Sequence, residues 1–224
     1  MLWHYYCKII ILKQEFLNLK NTIMKKLFLA FFLVAGIATL SFGQIAGSAH
    51  DLSGQTWNGS GEICIVCHTP HNAQTVTGAV LWNHRVTAAT FTAYTSTTLQ
   101  GTIIAPDGTS KLCLSCHDGT IGLEDFGGAT GGTNYITGTA NVGTDLSDDH
   151  PVSITYSTAT ANADGELNDP ATELSGLGST IAADMLFSGR VECASCHDVH
   201  DDTNTKFLRK ANTGSALCLT CHNK

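Results

Sequence analysis

Cys64-Ile65-Val66-Cys67-His68-Thr69-Pro70-His71 holds two cysteines three residues apart, with a histidine directly after the second. The same Cys-x-x-Cys-His unit returns at Cys113 to His117, at Cys193 to His197 and at Cys218 to His222. If each unit closes one helical turn, cysteines three apart and a histidine four residues from the first share one face. Such a face suits a haem: the sulfurs of Cys64 and Cys67, of Cys113 and Cys116, of Cys193 and Cys196, and of Cys218 and Cys221 bond the vinyl groups. His68, His117, His197 and His222 each supply one axial ligand to iron. Paired cysteines alone suit zinc or a disulfide equally well. Ten histidines among 224 residues would, however, fall directly behind all four pairs by chance at roughly 10⁻⁶ to 10⁻⁵. The spacing therefore calls for four covalently attached haem c groups.

Toward the N-terminus, Met24-Lys25-Lys26 and the apolar run over 27–40 have the charged and hydrophobic regions of a secretory signal. Ser41 and Gly43 stand where signal peptidase requires small residues, which predicts cleavage after Gly43. Residues 1–23 read as an upstream extension from a misassigned start, 24–43 as the signal peptide and 44–224 as a single tetrahaem domain. The apolar run is short for a membrane span of about 20 residues, so no span is expected after cleavage. Setting aside Cys7 and His4 with the extension leaves eight cysteines, all within the four units. Export also matches the chemistry, and the expected compartment is extracellular, with the periplasm as the alternative.

Cleavage would leave 224 − 43 = 181 residues, about 45 per haem, too few for four separate apolar cores. The porphyrins must then supply much of the core. The expected fold is mostly coil, with short helices and few short strands, wrapped around a chain of four haems. Five of the 12 basic residues and one of the 19 acidic residues precede Gln44, so the remainder carries 7 − 18 = −11. That balance excludes the basic groove that nucleic acid needs.

Locally, 51–61 reads as a polar loop leading into the first unit and 127–143 as an extended Gly- and Thr-rich loop. Val152, Ile154 and Tyr156 alternate with polar residues as in a short strand. Residues 181–187 predict two helical turns ending before Gly189. The apolar residues over 80–99 follow neither period and are expected against haem faces.

Five histidines after Gly43 stand outside the units: His50, His71, His84, His150 and His200. Four haems need four distal ligands, so the supply matches bis-histidine coordination with one to spare, whereas Met185 could serve one iron at most. His71 and His200 each follow a proximal histidine by three residues. So short a tether cannot pass round the porphyrin, so each must reach a different haem, which holds neighbouring haems close. His150 precedes Pro151, which favours an extended backbone. His50 and His84 are the weaker candidates, because one of the five is surplus.

Taken together, His50-Asp51-Leu52-Ser53, Cys64 to His71, Leu81-Trp82-Asn83-His84, Cys113 to Gly119, His150-Pro151-Val152 and Cys193 to His200 resemble the multihaem cytochromes c with doubled Cys-x-x-Cys-His motifs. The likeness is greatest to the tetrahaem members that polymerise into extracellular conductive filaments. The resemblance implies a coil-rich protein with stacked and T-shaped haem pairs, and a distal histidine donated by a neighbouring copy. His50, near the start of the expected mature chain, is the candidate donor in a head-to-tail polymer. Redox proteins or extracellular electron acceptors would be the other partners. The expected function is electron transfer and not enzymatic catalysis, since a multihaem reductase needs an iron with an open position. No unit carries Lys in place of its His.

Overall fold

The computed structural model describes residues 45–224 together with Lys20, Met24 and Lys25. Apart from Lys20, Met24 and Lys25, the expected extension and signal peptide, with Cys7, His4 and the cleavage point, lie outside the described residues. The chain divides into two units, Met1–Gly43 and Gln44–Lys224, and the second holds all four Cys-x-x-Cys-His motifs.

Most of this second unit is turn and coil. Its helices are α1 (Gly108–His117), α2 (Thr158–Asp164), α3 (Ile181–Met185), α4 (Cys193–Cys196) and α5 (Cys218–Cys221), with single 3₁₀ turns at Gly138–Ala140, Thr205–Phe207 and Thr213–Ser215. Local chemistry accounts for several of their ends. The hydroxyls of Ser157 and Thr180 accept from the amides of Thr160 and Ala183 and so cap α2 and α3. Gly165 closes α2 in the left-handed region. Helix α1 ends where Gly119, at φ 71°, returns its amide to the Cys116 carbonyl.

The expected strand near 152–156 is present but contracted. Strand β1 (Ile154–Thr155) pairs antiparallel with β2 (Arg190–Val191), Ile154 opposite Val191. Ser153 sits at φ 54° and breaks the extended run. Ile103 bridges to Ile154 on the other side, an approach that needs Gly101, where an added Cβ would lie 2.5 Å from the Thr155 carbonyl oxygen. The predicted turns over 181–187 end earlier, at Met185, because Leu186 is already extended. Phe187 and Arg190 then exchange both backbone hydrogen bonds across Ser188 and Gly189, both at positive φ, as in a tight hairpin.

Tyr156, Ala161, Ile181, Met185 and Leu217 form one buried cluster, flanked by Leu167, Leu177, Leu186, Val191 and Leu208 and by Cys196 and Cys221. Met185 is therefore a core residue. Across the described residues only eleven apolar residues are buried, a small core for a chain of this length. Large apolar side chains such as Val80 and Leu174 are left outside. The polypeptide alone cannot make a full interior, as the residue count per haem required.

Ile181 is completely buried at the centre of that cluster. Ile181→Ala should cost about 2–5 kcal/mol in denaturant unfolding of the haem-loaded protein. A loss below about 1 kcal/mol would mean that this cluster carries little of the stability.

Candidate haem sites

All four Cys-x-x-Cys-His units form the same object. Each closes one helical turn, and in the first, third and fourth units the histidine amide donates to the carbonyl of the leading cysteine, at 2.8 Å for His68, 3.1 Å for His197 and 3.0 Å for His222. The second unit forms the last turn of α1. The cysteines are all free thiols, and the helical spacing puts each pair of sulfurs on the side that its histidine occupies.

A second stretch of chain straps each turn. Asn83 donates its amide to Cys67 O at 2.9 Å, Val142 to His117 O at 2.7 Å, Arg209 to Cys196 O at 2.9 Å and Asn168 to Cys221 O at 2.9 Å. Three of the straps also hold the imidazole: Nδ1 meets Val80 O for His68 at 2.7 Å, Ala140 O for His117 at 2.7 Å and Lys206 O for His197 at 2.8 Å. A carbonyl acceptor keeps the proton on Nδ1 and leaves Nε2 unprotonated, the form a metal-bound histidine takes. Sequence reading missed the straps, because one backbone amide and one carbonyl carry no residue signature. Asn83 is the exception, since its buried side chain also donates to Ile65 O and accepts from the Gly127 amide.

Three of the proximal histidines face a second imidazole. Ring centres are 6.0 Å apart for His117 and His50, 6.1 Å for His68 and His200, and 6.3 Å for His222 and His150. With metal–nitrogen bonds of about 2 Å and about 1 Å from nitrogen to ring centre on each side, two imidazoles on one metal have centres roughly 6 Å apart. The residues present therefore fit a bis-histidine iron at three of the four units. His200 lies beside His68. His50, offered by the sequence as a ligand for a neighbouring copy, has its partner ring in its own chain. Burial first, then the nearby His117, His200 and His197, bring its pKa down to about 4, so it is neutral and able to bind metal at physiological pH.

The other two distal candidates are placed differently. His84 is fully buried, with Nδ1 2.9 Å from Arg85 O and Nε2 3.1 Å from Gly122 O, and a neutral imidazole donates to one of these two carbonyls. The Cys116 sulfur lies 3.6 Å and 3.8 Å from its two nitrogens. His71 is exposed, and among the described residues no aromatic ring faces it or His197.

The sulfurs order the four units in a line. Burial, with Cys67 and Asp118 nearby, pushes the Cys116 thiol up to about 12. Cys113 is raised by its hydrogen bond to Cys193 and by burial, while the same bond lowers Cys193. Burial and then Cys196 push Cys221 up to about 11. Neighbouring sulfurs thus run from first unit to second, second to third, and third to fourth. Among the described residues no three His, Cys, Asp or Glu side chains converge as a bare metal ion needs.

Residues 186–224, which contain the third and fourth units, match the doubled CXXCH motif family. Over those two units the match indicates covalent c-type haem attachment and supports haem-based electron transfer. No curated protein matches the chain. No helix among the described residues is long and apolar enough to cross a membrane.

Asn83 ties the first unit to its strap through two side-chain bonds. Asn83→Ala should leave the Ile65 carbonyl and the Gly127 amide without these partners and cost about 1–3 kcal/mol, read from unfolding of the haem-loaded protein. A neutral outcome would show that the backbone strap suffices.

Proposed function

We propose that this chain is an exported electron-transfer protein that carries four haems in a line and assembles head to tail into an extracellular filament. The observation that carries the electron-transfer reading is the set of three imidazole pairs with centres 6.0–6.3 Å apart, attached to units whose sulfurs approach one another in series. Haem supplies the redox couple. The chain fixes where each haem attaches, holds the proximal proton on Nδ1 and brings the next haem close. In this reading His200 serves the first haem, His50 the second and His150 the fourth, with His84 as the spare.

The filament reading rests on the remaining two histidines. Among the described residues His197 has no second ring, and His71, exposed, has no haem of its own. One molecule thus carries both an open position and an unused ligand. His71 of one copy bound to the iron above His197 of the next would satisfy both, and a heterologous contact of that kind propagates unless it closes. His71 fills the role better than His50, whose ring is engaged within the chain. A discrete carrier, or a reductase using the His197 iron as its open site, is the second reading, and the same unpaired His197 favours it if the chain stays monomeric.

Intact-mass measurement of the mature protein should show four haem additions, and three or fewer would contradict the tetrahaem reading. His71→Ala should abolish filaments in negative-stain micrographs and convert one haem to high spin, whereas His50→Ala should open the haem at Cys113 and Cys116. Filaments that persist without His71, all haems low spin, would exclude it as the donor.

Ring orientation gives an independent check. The His68 and His200 planes lie 22° apart, those of His150 and His222 77°. Ferric electron paramagnetic resonance should therefore show both a rhombic low-spin signal, from near-parallel imidazoles, and a strongly anisotropic one, from near-perpendicular imidazoles. His200→Ala should remove the former and His150→Ala the latter. If either substitution left both signals intact, its pairing would be wrong.

A further inference from the structure

The joint between the second and third haem units is built around a buried carboxylate that the electron-transfer reading does not use. Glu192 directly precedes Cys193 and is 1 % exposed. Its Oε2 accepts from Ser153 Oγ at 2.9 Å and its Oε1 from Arg190 Nε at 3.2 Å. The Ser195 amide donates to the Glu192 backbone carbonyl at 2.9 Å, and Ser195 Oγ accepts the Glu192 amide at 2.9 Å, which fixes Glu192 at the start of α4. Ser153 Oγ also accepts the Asp107 amide at 3.2 Å, and the other end of Arg190 lies 3.8 Å from Asp107 Oδ2. Asp107 is the N-cap of α1, the helix that carries Cys113 and Cys116. A last bond joins the two helices directly, from the Cys193 amide to Ser110 Oγ at 3.0 Å.

Ser110, Ser153, Ser195 and Glu192 are all buried. A carboxyl group in such a place is held only by satisfied partners. Here those partners are Ser153, beside β1, and Arg190, in β2, and both reach on to Asp107 at the start of α1. Cys113 and Cys193, one sulfur from each unit, are hydrogen-bonded neighbours at this joint.

We infer that Glu192 is a positioning residue that sets the distance and angle between the second and third haems, and so governs electron exchange between the two halves of the haem line. The inference rests on the reading that both units carry haem. Removing the carboxylate leaves Arg190 and Ser153 without their shared acceptor. Helix α4 is then free to shift on α1 while each haem keeps its own covalent links and axial ligands.

The test compares the full haem-loaded protein with Glu192→Ala, Glu192→Gln and Ser153→Ala, the last a milder break in the same network. Soret circular dichroism reads excitonic coupling between neighbouring haems, which falls with the cube of their separation, so a separation larger by a quarter roughly halves it. Contributions from the other neighbours are common to all four proteins and cancel in the differences. The expected result is a reduced couplet in Glu192→Ala, a smaller reduction in Ser153→Ala and near wild-type coupling in Glu192→Gln, which keeps an acceptor. Four haem additions by mass and unchanged low-spin absorption must accompany it. An unchanged couplet in both Glu192→Ala and Ser153→Ala would overturn the inference, and so would loss of haem or of fold in both, which would assign the network to assembly alone. Absence of haem from either unit in the wild type would instead overturn the reading on which the inference rests.

Discussion

Everything in this molecule depends on a five-residue turn that cannot stand alone. A single Cys-x-x-Cys-His turn makes one internal hydrogen bond and fixes several backbone angles to do so, a poor exchange in water. Four such turns are kept here, each because a distant strand of coil donates an amide to its last carbonyls and, in three cases, accepts from its imidazole. The strap for the first unit lies downstream at Asn83, and that for the fourth lies upstream at Asn168. The coil is therefore the scaffold of the sites, and long regular elements would be too straight to wrap them.

From that constraint the electron path follows. Straps orient three of the imidazoles by their Nδ1, which decides where Nε2 can meet a second ring. His200 faces His68, so that in the proposed reading a residue beside the third unit serves the first. In the proposed reading, crossed ligation would tie together parts of the chain that are distant in sequence. The one substantial apolar cluster, around Ile181 and Met185, lies against Cys196 and Cys221 and seats the last two units. The buried polar joint at Glu192 does the corresponding work between the second and third.

Much of the chemistry was legible in the sequence, because Cys-x-x-Cys-His is a covalent pattern whose spacing is its meaning. The coil-rich fold followed from residue count per haem, the strand at Ile154 from its alternation and the helix at Ile181 from its apolar run before Gly189. What could not be read was which histidine faces which. His50 and His84 look alike in sequence, each a single histidine outside the haem-binding units. They differ in that two carbonyls, from Arg85 and from Gly122, close on His84, and a contact such as that with Gly122, far along the chain, leaves no local signal. The straps were hidden for the same reason: they act through backbone groups that nearly every residue possesses. The shortened strand at β1 reflects Ser153, whose hydroxyl is recruited by Asp107 and Glu192 at the expense of extended geometry.

The most direct test of the crossed ligation is a density map of the haem-loaded protein at a resolution that separates axial ligands. The iron at Cys64 and Cys67 should lie between His68 and His200, that at Cys113 and Cys116 between His117 and His50, and that at Cys218 and Cys221 between His222 and His150. His84 should be bound to no iron. A map with His84 on an iron, or with His71 opposite His68, would contradict these assignments.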